Sequence, residues 1–265
     1  MPSSVRSSQE DHDLSRAAVF APLEGGGRAE LVERRLAEAI AAGLLHHDER
    51  LPREADLARR FGVATVTARE ALEALRHRGL VRTTRGRDGG SFVTAADRPD
   101  RAALDHRLRQ LSRVDLRDMA TYYRTINAGA AELAADRAAP DDVAQLRLLV
   151  ERTGTDDPVA GRRGENAFHL QLAALSQSPR LVREEVRLQA EFGALLWRCQ
   201  DDPHARVTAR EAHDAIAAAL DDVDTERARA LTAAHVDASL EWLVDHKSTL
   251  DSGPPTVPVR KEPPS

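Results

Sequence analysis

Aromatic residues make up only 3% of the 265 residues, and the chain has one cysteine, Cys199. So few rings argue against a base-stacking platform for single-stranded nucleic acid and against an aromatic sugar cleft. A single cysteine excludes a disulfide framework and a cysteine-rich zinc site. No apolar run approaches the roughly 18 residues of a membrane span, and the opening MPSSVRSSQEDHDLSR lacks the apolar core of an export signal. We therefore expect a cytoplasmic protein with no membrane partner.

Charge is plentiful, at 31% of residues, and it is unevenly distributed. The formal net charge is −5, yet residues 28–95 contain 13 arginines against 10 acidic residues. Residues 96–265 contain 23 basic and 29 acidic residues. A basic front segment on an acidic body indicates two domains with different partners.

The front segment has the pattern of three helices and a hairpin. Apolar residues recur at helical spacing over residues 28–45, and two shorter helices are predicted at Glu54–Phe61 and Thr65–His77. Two short strands, residues 80–83 and 91–94, flank the polar, glycine-rich stretch RGRDGG. We predict a disordered arm over residues 1–27, because it is rich in Ser, Gly and charge without apolar periodicity.

Two short helices followed by a hairpin are typical of a winged helix-turn-helix, here over residues 28–95. The second helix would present its early side chains to base edges in the major groove. A wing with glycines and arginines suits the minor groove and its flanking phosphates. The predicted DNA-binding residues are Thr65, Thr67 and Arg69 on the helix and Arg85, Arg87, Gly89 and Gly90 on the wing. A small helical domain with a solvated basic face would give the same pattern.

Beyond Pro99 only helices are predicted. They cover about residues 99–111, 114–137, 141–153, 157–176, 179–200, 204–220 and 224–248. Residues 96–111 would form a linker and connecting helix, residues 112–250 an antiparallel helical bundle, and the proline-rich residues 251–265 a disordered tail. The predicted fold class is therefore mainly α, an N-terminal winged helix-turn-helix followed by an all-helical bundle.

Four residues of the predicted bundle form a candidate metal site. Glu165 and His169 are four apart and share one helix face, while His213 and His235 lie on separate helices among apolar neighbours. Burying these groups together is costly without a partner, and imidazoles with one carboxylate suit Zn, Ni, Mn or Fe(II). The alternative is three unrelated histidines in a chain that has ten.

The stretch LPREADLARRFGVATVTAREALEALRHRGLV, followed by RGRDGGSFV, resembles the signature of the GntR family of bacterial transcription regulators over residues 28–94. In this resemblance Arg69 falls on an arginine that contacts DNA. Two family arginines are absent, since Ala55 and Thr65 stand in their places. Arg53, two residues before Ala55, joins the predicted DNA-binding residues. The resemblance implies operator binding with an altered sequence preference.

The body resembles the FCD domain, the helical effector domain of the FadR-like branch of that family, over residues 112–245. Three features match the domain's pattern in order. They are GENAFHL, which contains Glu165 and His169, then SQSPRLV at a helix start, and then His213 and His235. Glu165 replaces the family's usual aspartate. The resemblance implies a divalent metal at the floor of a pocket for a small carboxylate effector. Arg124 could pair with that acid, although a surface position explains it equally well.

Together these features predict a ligand-responsive regulator, not an enzyme, that binds palindromic double-stranded operator DNA as a homodimer at the nucleoid. A second hypothesis keeps the DNA-binding half and gives the body a metal-free organic effector pocket. A third is a metalloenzyme, but no dedicated general base accompanies the histidines. That hypothesis also leaves the front segment unexplained.

Overall fold

The computed structural model describes residues 19–20, 28–86, 89–94 and 101–252. The front domain contains α1 (Arg28–Ala41), α2 (Glu54–Phe61) and α3 (Thr65–His77), and the last two have the predicted bounds. Helix α2 ends where Gly62 adopts a left-handed conformation, with φ 66°, which favours glycine. The buried faces of the three helices pack around Leu36, Phe61 and Leu72 in one core.

The wing is an antiparallel pair of strands, β1 (Val81–Thr84) and β2 (Gly90–Val93), each one residue away from its predicted position. Val81 pairs with Val93, and both side chains are buried under the helices. Arg50, between α1 and α2, adds an isolated bridge to Phe92. The hairpin is therefore fixed to the domain at the base of its two strands.

The rest of the described chain is helical. The regular helices are α4 (Arg101–Gln110), α5 (Arg113–Arg137), α6 (Pro140–Arg152), α7 (Pro158–Leu175), α8 (Pro179–Leu188), α9 (Pro203–Asp221) and α10 (Thr225–Ser252). Helices α7, α8 and α9 share a start signal, a polar N-cap followed by proline, at Asp157, Ser178 and Asp202. The longest two, α5 and α10, pack along each other. None of the helices among the described residues is long and apolar enough to cross a membrane.

The prediction of one helix over residues 179–200 is wrong. After α8 the chain forms a π-helical turn (Gln189–Gly193), a short α-turn (Ala194–Leu196) and a 3-10 turn (Trp197–Asp201). Apolar spacing cannot reveal a change from i+4 to i+5 hydrogen bonding, because the sequence stays helical in character. We call residues 189–201 the irregular segment.

Two further predictions fail at the chain ends. Val19 and Phe20 are buried, and Phe20 packs on Phe61 with ring centroids 5.7 Å apart, so the arm is not disordered at these two residues. Asp251 and Ser252 belong to α10, so the tail begins later than predicted. The other residues of the arm and of the tail lie outside the described part of the chain.

The front domain contacts the helical bundle directly. Leu170 of α7 and Val186 of α8 belong to the same buried cluster as the front domain's core. The amide of Asn166 on α7 donates a hydrogen bond to the backbone carbonyl of Ala42, just after α1 (3.3 Å). A cavity of about 450 Å³ opens beside this bond. The contact between the front domain and the bundle therefore combines buried apolar packing with one side-chain hydrogen bond.

Candidate metal centre and nucleic-acid interface

The four predicted metal ligands meet in the interior of the bundle. One turn of α7 provides Glu165 and His169, while α9 provides His213 and α10 provides His235. The Glu165 Oε2 atom lies 3.1 Å from Nε2 of His235, 3.4 Å from Nε2 of His213 and 3.7 Å from Nε2 of His169. One ligand atom from each residue falls within 4.8 Å of the others. Helical spacing selected Glu165 and His169, and apolar neighbours selected His213 and His235. The four residues converge from three helices.

All four side chains are buried, and burial acts on the pKa of three of them, Glu165, His169 and His213. It disfavours charged imidazole, and so it lowers the pKa of both His169 and His213. Burial alone would raise the pKa of the Glu165 carboxyl, but the adjacent imidazoles of His213, His235 and His169 hold it well below its usual value. These directions favour a neutral imidazole at His169 and at His213 beside a carboxylate, which are the protonation states that metal ligation requires.

Two imidazole nitrogens in this cluster lack a hydrogen-bond partner within the described residues. They are Nε2 of His169 and Nε2 of His213, and both are inaccessible to solvent. An unpartnered buried polar atom is costly. Three imidazoles and one carboxylate form a donor set suited to a transition metal. The residues present therefore fit a metal ion.

Aromatic rings enclose the cluster. Phe168 stacks on His213, with centroids 3.7 Å apart, and Trp197 stacks on His169 at 5.1 Å. Tyr123 meets His169 edge-on at 5.8 Å. Trp197 comes from the irregular segment, so the broken helix positions one wall of the site. Sequence reasoning missed Trp197 because ring-on-imidazole packing has no local pattern.

A layer of polar side chains surrounds the ligands. Nε2 of Gln200 donates to Glu165 Oε1 (2.8 Å), and Nδ1 of His169 lies 2.8 Å from Oδ1 of Asn127. Asn127 in turn donates to the fully buried carboxylate of Glu185. These three partners were also missed. The signal for Asn127 was available, since it is a polar residue on the buried, alanine-rich face of α5.

A small cavity of about 10 Å³ reaches Glu165 and His213 from one side. Its lining includes the arginines Arg206 and Arg210, which share the α9 face that carries His213. Arg206 is buried and donates to the backbone carbonyls of Gln200 and Thr155, whereas Arg210 is half-buried. Positive charge therefore lies next to the cluster on α9.

Arg124 does not reach the cluster. Its guanidinium is 46% exposed and pairs with Asp237 on α10 (3.0 Å). The preceding residue, Tyr123, is the one that faces inward. The surface interpretation of Arg124 thus fits the structure, and the sequence suggestion of an effector contact does not.

The predicted recognition helix presents its first turn to solvent. Thr65 and Val66 are exposed, Thr67 is half-buried, and Arg69 is exposed with its guanidinium 3.0 Å from Glu54 on α2. An exposed valine (58%) at this point is an apolar contact available to a partner. Arg53 is also exposed, immediately before α2.

The wing tip is shaped by close backbone approaches. A Cβ atom on Gly89 would lie 2.5 Å from the Thr84 carbonyl oxygen, and one on Gly90 would lie 2.8 Å from Nε of Arg50. Arg50 also donates to the Gly89 carbonyl, a support that sequence reasoning missed. Arg85 is exposed, while Arg87 lies outside the described residues. Gly89 is thus required by the backbone packing of the wing itself, whereas the space beside Gly90 is filled only by the flexible end of the Arg50 side chain.

Comparisons with known proteins match both parts of the chain. Residues 28–93 match the model of bacterial regulatory proteins of the gntR family, and residues 118–238 match the FCD domain. A Mycobacterium gastri protein named as the HTH-type transcriptional regulator RmpR is 35% identical over 247 residues, 87% of this chain and 88% of its own. The Uxu operon regulator of Haemophilus influenzae is 26% identical over 67% of this chain and 65% of its own.

Among solved structures, E. coli McbR/YncC aligns at 20% identity over 84% of this chain and 99% of its own, with a TM-score of 0.49. The matched family and the named relatives are transcriptional regulators, not enzymes. The metalloenzyme hypothesis is therefore set aside.

Proposed function

The chain belongs to the gntR family of transcription regulators and carries an FCD effector-binding domain, and we propose that a metal-held effector controls its binding to DNA. In this proposal a homodimer binds a palindromic operator. A small carboxylate, held with a divalent transition metal in the bundle, changes the affinity. The observation that carries the proposal is the convergence of four ligand atoms within 4.8 Å.

DNA contact would use the first turn of α3 and the wing. The exposed Thr65, Val66 and Arg69 can reach base edges and a thymine methyl, and Thr67 can add a hydrogen bond. Arg53, Arg85 and Arg87 would contact phosphates, and Gly89 and Gly90 let the wing backbone approach them. A two-fold dimer would place two such units on the two halves of a palindrome.

Glu165, His169, His213 and His235 would hold the ion, with Zn, Ni and Mn as candidates. When bound, the ion supplies a Lewis-acidic position for a carboxylate oxygen. Arg210, half-buried in the small cavity beside Glu165 and His213, replaces Arg124 as the proposed partner for the effector's charge. The cavity would have to widen to admit more than a water-sized group.

The bundle would signal through α7 and α8. Both helices carry groups of the metal site and also contact the front domain, through Leu170, Val186 and the Asn166 bond to Ala42. A shift of these helices on ligand binding would therefore move the front domains of a dimer relative to each other.

The test compares three proteins prepared without chelator or histidine tag: the parent chain, His213→Ala, and His204→Ala as control. His204 is exposed and lies on the same helix as His213. We expect close to one equivalent of metal in the parent and the control, and little in His213→Ala. Each protein is then titrated with the DNA upstream of its own gene, at low salt where phosphate contacts are strongest.

Absence of metal from the parent, even after incubation with Zn, Ni and Mn, would overturn the metal part of the proposal. Absence of any DNA shift at low salt would overturn the operator part. The complete proposal is supported if small carboxylates change the DNA shift of the parent chain and do not change the DNA shift of His213→Ala.

A further inference from the structure

Glu185 is a buried carboxylate that the proposed function does not use directly. It is fully buried on α8, and no cationic side chain donates to it among the described residues. Three neutral groups do donate: Tyr123 OH to Oε1 (2.7 Å), Gln189 Nε2 to Oε1 (2.8 Å) and Asn127 Nδ2 to Oε2 (2.8 Å). Burying a carboxylate is costly, so its presence between neutral donors calls for a role.

The bond to Asn127 fixes the direction of that amide. An ionised carboxylate only accepts hydrogen bonds, so the amide must turn its NH₂ group toward Glu185. The same NH₂ group also donates to the Tyr123 carbonyl (3.2 Å), another pure acceptor. The amide oxygen of Asn127 then faces His169, 2.8 Å from Nδ1.

An amide oxygen likewise only accepts, so Nδ1 of His169 must carry the proton. In a neutral imidazole the other nitrogen, Nε2, then bears the free lone pair. Nε2 is the atom that points to the cluster, 3.7 Å from Glu165, and it lacks a hydrogen-bond partner within the described chain. The lone pair that a metal ligand needs is thus presented inward.

We propose that Glu185 is a positioning residue that sets the tautomer of His169 through Asn127 and so prepares Nε2 for the metal. The inference rests on the proposed metal site, because the tautomer of His169 matters for function only if Nε2 binds a metal. Outer hydrogen-bond partners of metal-binding histidines commonly fix ring orientation and tautomer in this way. Here the carboxylate acts one residue further out, with an amide between it and the ring.

The decisive variant is Glu185→Gln, which keeps shape and removes the pure acceptor. Its new NH₂ group can face Asn127, whose amide can then reverse and donate to Nδ1. His169 would carry its proton on Nε2, where it blocks the metal. The double variant Asn127→Asp with Glu185→Gln exchanges the two functional groups. The carboxylate at position 127 accepts from Nδ1 of His169, and the amide at position 185 donates to that carboxylate. Glu184→Gln is the control, because Glu184 neighbours Glu185 on α8 but pairs at the surface with Arg187 and Tyr122.

Two measurements are made on the full chain. Nitrogen-15 NMR of histidine-labelled, metal-free protein reports the tautomer of His169, assigned with a His169→Asn variant. Competition against a chromophoric chelator gives the affinity for zinc. We expect Nδ1–H in the parent, Nε2–H in Glu185→Gln with zinc affinity about 10–100-fold lower, and recovery of both in the double variant. Glu184→Gln should match the parent.

A protonated Nε2 in the parent would overturn the inference, and so would an unchanged tautomer in a folded Glu185→Gln protein. If Glu185→Gln does not fold, the parent spectrum and the double variant still decide. Failure of the proposed metal site would appear separately, as a parent that binds no zinc whatever its tautomer.

Discussion

The front domain and the bundle place their functional side chains in opposite environments. The groups proposed to contact DNA are mostly exposed, and their internal partners are surface pairs such as Arg69 with Glu54, which contribute little to stability. The cluster of Glu165, His169, His213 and His235 is buried, and its hydrogen-bond partners are buried as well. An exposed site can change residue by residue, whereas a buried polar site works only when each partner is present.

The largest expected effect tests whether the two regions are energetically separable. Phe61→Ala removes a fully buried ring from the front core and should destabilise that domain by about 3–5 kcal/mol. We expect operator binding to be lost while zinc binding persists, because the cluster lies in another core. Thermal unfolding followed by zinc titration checks this, and simultaneous loss of both activities would contradict separability.

A smaller effect is expected from Arg69→Ala, which removes one exposed contact. It should weaken binding to the operator by about 1–3 kcal/mol and leave both metal content and melting temperature unchanged. Electrophoretic mobility shift on operator and unrelated DNA measures the loss. Equal weakening on both DNAs would show that Arg69 contacts phosphate and not a base.

Asn166→Ala cuts the polar link between the regions at Ala42. We expect loss of about 0.5–1.5 kcal/mol from the coupling between zinc and DNA binding, with each affinity alone little changed. Gln145→Ala is the matched control, because Gln145 lines the same cavity and takes no part in the bond between Asn166 and Ala42. Coupling is the ratio of DNA affinities with and without zinc, and an unchanged ratio would assign the coupling to the packing of Leu170 and Val186.

The last prediction is that the buried thiol of Cys199 does not react with an alkylating reagent while the chain is folded. Burial, with the nearby Glu165 charge, raises the pKa of the Cys199 thiol to about 12. Because a raised pKa keeps the thiol protonated up to that pH, only about one molecule in 10,000 carries the reactive thiolate at pH 8. Iodoacetamide should leave the folded chain unmodified at pH 8 and modify it once urea unfolds it. Rapid alkylation of the folded chain would show that the bundle opens.

The sequence predicted what depends on local pattern. Helix periodicity and proline after a polar cap predicted most of the helices. Helical spacing, apolar neighbours and the family resemblance selected Glu165, His169, His213 and His235, which converge in the structure. It could not predict the irregular segment, because a π-helical turn leaves apolar spacing nearly intact. It also missed Glu185, Trp197 and Gln200, whose roles arise only when separate helices meet, and it overlooked Asn127, which stands out as a polar residue on an alanine-rich helix face. Arg124 was misplaced because a shift of one helix position turns a side chain by about 100°.

Val19 and Phe20 have a practical consequence for how this chain is divided. The gntR family match begins at residue 28, yet the core of that domain already includes these two residues. Burial of such side chains stabilises a fold by about 1.5–3 kcal/mol each. The folded front domain therefore extends further toward the N-terminus than the family match. A protein shortened to begin at residue 28 would have a cavity beside Phe61.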